Sequence, residues 1–331
     1  MPSTDFKTLF QQFNLLKVVI VGDVMLDTYW WGHTDRISPE APVPVVSLDK
    51  REQRVGGAAN VALNTASLGA QTTVISVIGN DEDGNDLISL LDGHQINTTY
   101  IIRSNDRITT NKTRIMSRNQ QMMRLDSEYT YDISDLMESS LFDVVKLCFK
   151  NDKPDILIFE DYNKGVLTVG LISKLIALCK ENGVVTSVDP KRKNFLSYKN
   201  VDIFKPNLKE VKEGLNLLID QIDLSTLDKM HQALQKSLNH KISFITLSEK
   251  GVFYQMGKEA SIIPTHVRNI ADVSGAGDTV IAVASLVYAV TKNMHLAADM
   301  ANIAGGLVCE EVGTAAINKT LFLDECELLL K

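Results

Sequence analysis

The sequence predicts an α/β fold: a doubly wound, mostly parallel sheet with helices on both faces, carrying a small antiparallel β lid. Three observations point there. From Asp135 onward, short apolar β-branched runs alternate with amphipathic helical stretches, the pattern of βαβ units. Two segments, about 28–48 and 98–125, supply the lid: the first reads as short edge strands, and the second alternates polar and apolar residues at near period two, which suits an antiparallel sheet with one wet face. Asp23, Asp27, Asp161, Asp189, Asn207 and Ser248 fall just after strand-like runs, where open α/β sheets bind their ligands.

In chain order, residues 1–16 read as a short helical lead-in. "KVVIVG" is a buried strand closed by Gly22. The stretch from Asp27 to Leu48 holds aromatics and prolines and ends in "VPVVSL", which reads as short edge strands. "GGAANVALNTASLG" opens on two glycines, runs as an Ala-rich helix and stops at Gly69. "TTVISVIG" is a further strand, followed by a helix over 83–91. "TYIIRS", "TNKTRIMS" and "QQMMRLD" supply the second set of lid strands. Helix 135–150, strand "DILIFED", helix 168–182, strands "VVTSVDP" and "VDIFKPN", two helices and strand "ISFITLS" follow. "GVFYQMG" and "EASIIPT" form a hairpin, and two long helices begin at Ala276 and His295. The reading is one domain over 1–331.

The 331 residues are 44% hydrophobic and 23% charged, which gives a sizeable core. The net charge of −7 and the lack of a Lys/Arg block argue against a nucleic-acid arm. The cysteines (148, 179, 309, 326) form no C-x-x-C pair and are expected to be structural. "MPSTDFKTLFQQFNLLK" lacks the apolar core of a signal peptide, and the run Val280–Val290 is too short to cross a bilayer. A cytoplasmic location with no membrane contact is therefore expected.

"ADVSGAGDT" (Ala271–Thr279) carries the sharpest chemistry. Its glycines allow close backbone approach, and the helix behind them offers free N–H groups to an anion. Asp278 in the first helical turn is an odd companion for phosphate unless it takes a proton from an attacking hydroxyl. The alternative is an acid that merely favours a helix N-terminus. No Walker A loop occurs, and the third Gly of a dinucleotide fingerprint is missing, which disfavours a dehydrogenase.

In "KPNLKE", Asn207 and Glu210 share a helix face, and they read either as a capping box or as a water-mediated Mg²⁺ site. "VGGAAN" places Gly57 and Asn60 at a strand-to-helix junction, a plain turn or a lid hinge facing a polar ligand. "GDVMLD" puts Asp23 and Asp27 where carboxylates could bind sugar hydroxyls. "SRNQQMMRLD" offers Arg118, Asn119, Gln120 and Arg124, as surface polarity or as a phosphate cluster. "EDYNKG" sets Asp161 and Lys164 beyond another strand. The histidines fit no zinc spacing, and no G-x-S-x-G elbow is present.

Together these stretches resemble the PfkB/ribokinase family of sugar kinases. "DVSGAGD" is similar to its C-terminal signature, with Ser274 where Thr is frequent. "GGAAN" resembles its di-glycine signature and "NLKE" its N-x-x-E motif. Longer stretches, from "VVIVGDVMLDTYWWGHTDRISPEAPVPVV" to "SRNQQMMRLD", look like the members that act on heptose 7-phosphate, over about Lys17–Asn318. Glu160 and Asn163 depart from the Ser and Ala expected there.

The resemblance implies transfer of the ATP γ-phosphoryl group to the anomeric hydroxyl of D-glycero-D-manno-heptose 7-phosphate. The product is the 1,7-bisphosphate, on the route to ADP-heptose for lipopolysaccharide core. It implies Asp278 as base and Gly275, Ala276 and Gly277 as anion hole. Asn207 and Glu210 match the family's Mg–ATP motif, and Ser248, Gly251 and Asn302 lie where the family lines its nucleotide site. Asp27, Gly57, Asn60, Arg118, Asp161 and Lys164 are the candidates for the sugar phosphate. The adenylyltransferase domain of bifunctional relatives is not expected, since its H-x-G-H motif is missing. Exposed lid edges suggest a homodimer. The competing readings are a kinase for another sugar, a catalytically silent binding module and the disfavoured dehydrogenase.

Overall fold

The computed structural model describes residues 4–118, 120–218, 221–266 and 268–330. Helix α1 (Phe6–Phe13) leads into β1 (Lys17–Gly22), the long strands β2 (Val24–Ile37) and β3 (Pro44–Gly57), and α2 (Ala58–Ser67). Then come β4 (Gln71–Ile75), β5 (Val77–Gly79), α3 (Glu82–Gly93), β6 (Ile102–Ser104), and a hairpin of β7 (Thr110–Ser117) and β8 (Gln120–Ser127). The next stretch comprises α4 (Asp135–Asn151), β9 (Ile156–Glu160), α5 (Val169–Asn182), β10 (Val185–Asp189), β11 (Ile203–Phe204), α6 (Leu208–Gly214) and α7 (Leu224–Leu238). The chain closes with β12 (Ile242–Thr246), β13 (Val252–Met256), β14 (Glu259–Ile263), α8 (Ala276–Thr291), α9 (Met294–Val308) and α10 (Lys319–Leu329).

Eight strands form the main sheet in the order β14-β13-β12-β11-β10-β9-β1-β4. It is parallel from β4 to β12 and antiparallel across β12, β13 and β14. Central strands read as continuous apolar runs because both faces are covered. Ile20 and Ile158 point to the layer holding α2, α8 and α9. Val19, Val21, Leu157 and Phe159 point to the opposite layer with α4, α5 and α7. Each of these side chains is buried, worth about 1.5–3 kcal/mol apiece. The doubly wound α/β fold expected from the sequence is the one observed.

The lid is a four-stranded sheet ordered β3-β2-β7-β8. Each hairpin, β2–β3 and β7–β8, is antiparallel, and the two meet through a parallel seam from Met25↔Thr110 to Gly32↔Ser117. "TYIIRS" does not join it. Its strand β6 follows helix α3 and pairs in parallel with β5, as a helical crossover favours. The lid strands therefore run over Val24–Ile37, Pro44–Gly57 and Thr110–Ser127, displaced from the 28–48 and 98–125 expected. A third C-terminal helix, α10, also lies beyond the two expected. No helix among the described residues is long and apolar enough to cross a membrane.

Candidate active site

Asp278 lies in the first turn of α8, beyond the carboxyl ends of β9 and β10, and is almost fully buried. Asn60 Nδ2 donates to its Oδ2 at 2.8 Å, and the Tyr162 hydroxyl donates to its Oδ1 at 2.8 Å. Burial pushes the Asp278 carboxyl up to about 6; the Asn60 and Tyr162 hydrogen bonds pull the other way, and the nearby Asp189 charge adds to the rise. Tyr162 is held well above the usual phenol range, first by burial and then by the Asp278 charge, so it remains a donor. This carboxyl is placed to take a proton near neutral pH and is held in one orientation by two fixed donors.

The glycine turn in front of it is shaped for a close approach. Gly275 caps α8 at φ 78, a left-handed conformation that suits glycine. Ala276 N–H is engaged by the Val273 carbonyl at 3.3 Å, and Thr279 N–H is the first to bond back, to the Gly275 carbonyl at 3.1 Å. The N–H groups of Gly277 and Asp278 lie between those two positions, where a helix start leaves donors without intrahelical partners. Of the anion-hole residues expected from the sequence, Ala276 thus contributes its backbone elsewhere in this conformation. Asp272, unassigned from sequence, accepts from Ser274 N–H at 3.0 Å and from Gly313 N–H at 2.9 Å, which pins the turn to the loop after α9.

A cavity of about 400 Å³ opens beside this turn, and Ser248, Gly251, Ala276, Gly277 and Asn302 all line it. The nucleotide-site residues read from the sequence thus share one cavity with the glycine turn. Gly251 has a second constraint: at φ +94, a Cβ there would stand 1.9 Å from the Ile263 carbonyl oxygen. Asn302 donates its amide to the Pro264 carbonyl at 2.8 Å. A larger cavity, about 500 Å³, is lined by Arg54, Leu63, His94 and Ile317 and includes none of the groups around Asp278.

Asn207 and Glu210 form the capping box of α6. Asn207 Oδ1 accepts from Glu210 N–H at 2.8 Å, and Glu210 Oε2 accepts from Asn207 N–H at 2.8 Å. Glu210 Oε1 faces Lys191 Nζ at 3.2 Å. Lys191 and Lys205 both bind Asp189, at 3.0 and 2.8 Å. Burial works to raise Asp189, and these two ammonium groups overcome it and hold the carboxyl below its ordinary value.

On the lid side the expected residues divide. Asp27 is ion-paired to Arg114 Nη1 at 2.5 Å. Gly57, at φ +57, begins α2 against the Tyr162 ring. Lys164 Nζ pairs with Glu128 at 2.7 Å, and Lys112 Nζ lies 4.0 Å from the same carboxylate. Asp161 is turned inward: it accepts from the Tyr198 hydroxyl at 2.7 Å, Asn194 Nδ2 at 3.0 Å and Asn163 N–H at 2.8 Å. Burial and the Asp23 charge push it up to about 6. Arg118 is not brought to the cleft. It occupies the exposed β7–β8 turn at φ 46 and reaches Asp35 at 3.5 Å, because β7 ends one residue before it. Asn119 lies outside the described residues.

Several groups around Asp278 and in the lid escaped assignment from sequence. Tyr162, Lys191 and Lys205 each follow a strand, a signal that was available. Lys112 was hidden inside a period-two strand, and the lid register alone puts it opposite Asp27. Glu160, noted only as a departure, is fully buried. Burial, together with the Asp189 and Asp278 charges, raises its carboxyl well above the usual range.

Comparison with known proteins agrees with this geometry. The family model described as "pfkB family carbohydrate kinase" matches residues 15–321. The chain is 35% identical over 319 residues to the bifunctional protein HldE of Geobacter sulfurreducens, covering 96% of this chain and 64% of that protein. It is 40% identical over 309 residues to the HldE of Aliarcobacter butzleri, covering 93% of this chain and 63% of that protein. It therefore spans a little under two thirds of these relatives' length. Among solved structures, Escherichia coli phosphofructokinase-2 in complex with potassium superposes with a TM-score of 0.80 at 18% identity, over 96% of this chain and 100% of that one. Arabidopsis thaliana ribokinase with ribose and ATP gives 0.69 at 18% identity, over 93% of this chain and 98% of that one. The fold is ribokinase-like, and with the family match covering nearly the whole sequence, the chain belongs to the pfkB family of carbohydrate kinases.

Proposed function

We propose that this chain transfers the γ-phosphoryl group of ATP to the anomeric hydroxyl of D-glycero-D-manno-heptose 7-phosphate, giving the 1,7-bisphosphate on the way to ADP-heptose. One observation carries the reading: a buried carboxyl, Asp278, sits between two donors and directly beside open N–H groups at a helix start. That pairs a proton acceptor with an anion site within one helical turn, as in-line phosphoryl transfer requires.

The ATP base and ribose occupy the cavity lined by Ser248, Gly251 and Asn302, which brings the γ-phosphoryl group to the N–H groups of Gly277 and Asp278. The sugar lies under the lid, near Asp27, Gly57 and Asn60, with its 1-hydroxyl toward Asp278. Asp278 accepts that proton as the oxygen attacks, while Asn60 and Tyr162 keep the carboxylate from rotating. The hard oxygen donors of Asn207 and Glu210 suit Mg²⁺ held through water, although Asn207 Oδ1 and Glu210 Oε2 are committed to the cap and Glu210 Oε1 faces Lys191. Bound with ATP, Mg²⁺ would offset charge on the phosphates. Lys164 and Lys112, two ammonium groups sharing one carboxylate at the lid, are the best placed for the 7-phosphate.

The name HldE on relatives at 35–40% identity supports heptose over other sugars. A panel of sugars and sugar phosphates assayed for ATP-dependent ADP release tests this, with heptose 7-phosphate expected to give the highest kcat/KM by at least about tenfold. A hexose 6-phosphate or a free pentose in first place would reject the heptose assignment and leave the kinase chemistry standing. We also propose a homodimer through the lid. Its edge strand β8 leaves Met122, Met123 and Leu125 exposed beside unpaired backbone groups, which covering by a second copy would resolve.

A further inference from the structure

Arg54 lies on lid strand β3, three residues before the Gly57 junction and opposite Asp27 of β2. Its side chain reaches out of the lid. Nη1 donates to the carbonyl of Val312 at 2.7 Å and to that of Thr314 at 3.1 Å, in the loop after α9. Nε donates to Glu52 at 2.7 Å, and the guanidinium lies over the Tyr29 ring, 5.2 Å from its centroid. Arg114, the ion-pair partner of Asp27, sits over the same ring at 5.2 Å. A planar guanidinium can hold two carbonyls and a carboxylate at once, which a single ammonium does poorly.

The loop that Arg54 grips also braces the glycine turn. Between the two carbonyls, Gly313 sits at φ +77, and a Cβ there would stand 2.6 Å from the Tyr29 hydroxyl oxygen and 3.0 Å from Arg54 Nη1. Gly313 N–H donates to Asp272 Oδ2 at 2.9 Å, while Asp272 Oδ1 accepts from the N–H and the hydroxyl of Ser274 at 3.0 and 2.8 Å. Thr314 packs on the same turn, with Cγ2 3.3 Å from where a Cβ on Gly275 would be. Contacts therefore run unbroken from Arg54 through Gly313 and Asp272 to Ser274, next to the residue that caps α8.

We propose that Arg54 is a positioning residue for phosphoryl transfer, tying the lid to the glycine turn through the 312–314 loop and Asp272. Movement of β3 must either carry that loop along or break both carbonyl bonds, and in each case Asp272 passes the change to the turn. The N–H groups of Gly277 and Asp278 are then set by the same element that covers the sugar. The inference rests on the reading of those N–H groups as the phosphoryl site and of the lid as the sugar's cover. Arg54 touches no reacting atom in it. Coupling of this kind shows in the far partner, the turn, rather than in the clamp itself.

Hydrogen exchange of the full chain, with neither nucleotide nor sugar present, reads the turn directly. In Arg54→Ala, peptides spanning 309–316 and 271–279 are expected to exchange at least about tenfold faster than in wild type, and peptides from α5 and α7, in the opposite layer, to be unchanged. Exchange over 271–279 equal to wild type overturns the proposal. A rise that extends to α5 and α7 is general loosening, and the milder Arg54→Lys then decides: exchange at least about threefold faster, confined to 309–316 and 271–279, is required. Kinetics supply the second arm. With ATP and heptose 7-phosphate, Arg54→Ala should lower kcat at least about tenfold and leave KM for the sugar within about threefold. Asp272→Asn, whose side chain can accept from only one of the two backbone N–H groups, should also lower kcat. The double variant should be no more than about threefold slower than the slower single variant, because both act in one chain of contacts. Multiplied losses, or a KM rise with kcat unchanged, overturn the positioning role. A wild type inactive on heptose 7-phosphate rejects the substrate reading instead, and the exchange result alone then decides the clamp.

Discussion

Asn60 and Asp278 stand 218 residues apart in the chain and 2.8 Å apart in space. The bond joins the first turn of α2 to the first turn of α8. It is backed by a short relay: Asn64 Nδ2 donates to the Asn60 carbonyl at 2.9 Å, and the Thr279 hydroxyl donates to Asn64 Oδ1 at 3.1 Å. Two helix starts are thereby locked to each other around one carboxylate.

Asp278→Asn keeps the shape and removes the proton acceptor. Turnover is expected to fall by about 10²–10⁴-fold, the usual span for a positioned base. ATP affinity, measured by calorimetry, should change by less than about threefold. A variant with normal kcat would remove Asp278 from the mechanism.

The same substitution should stabilise the protein at pH 7.5. The folded-state carboxyl titrates at about 6 against an ordinary value of 3.8, so between those limits the folded state holds a proton that the unfolded chain has released. Stability therefore falls as pH rises through that window and stays lower above it, by roughly 3 kcal/mol as an upper figure. Denaturant unfolding at pH 7.5 and pH 4 checks this: the gain from Asp278→Asn should be present at the first and largely gone at the second.

The pH profile of kcat/KM should carry an acid limb near 6, since Asp278 must be ionised to act. Tyr162→Phe and Asn60→Ala each remove a donor to the ionised form. Both should move that limb to higher pH and lower kcat by about 10–100-fold. Rate profiles whose limbs coincide with wild type would show that the donors do not set the acidity.

For the distal phosphate, Lys112→Ala and Lys164→Ala should each raise KM for a phosphorylated sugar by at least about tenfold. Arg118→Ala, on an exposed turn, should stay within about twofold. A large KM effect at Arg118 and none at the two lysines would reverse the assignment.

Gly275→Ala should abolish activity and cost about 1–3 kcal/mol, because the residue sits at φ 78 and its new Cβ would stand 2.7 Å from Asn60 Nδ2. Steady-state kinetics together with a thermal melt would show both losses.

Much of the scaffold was legible because it rests on periodicity. Apolar runs at β1, β9 and β12 and the break to period two at β7 and β8 can be read along the chain. Asp278 and Asn207 were legible because helix starts have local chemistry, and at Asn207 the capping reading proved geometrically correct. What stayed hidden depends on register. Glu160 and Asp189 are 29 positions apart in sequence yet paired across β9 and β10, a neighbour relation that neither segment encodes alone. Lys112 became a candidate only once the parallel seam set it beside Asp27, and Arg118 lost its place once the hairpin turn did.

The junction at Gly57 has a mechanical meaning. Strand β3 of the lid ends there and α2 begins at the next residue, with no loop between them. Three residues further on is the amide that grips Asp278. In the proposed function, a swing of the lid about that glycine would reach Asp278 as a change in the pitch of one helical turn, making the lid a lever with a long arm over the sugar and a short arm at the carboxylate. Under the proposed function, closure about this glycine would move the Asn60 amide and shut water out together, one hinge timing both events.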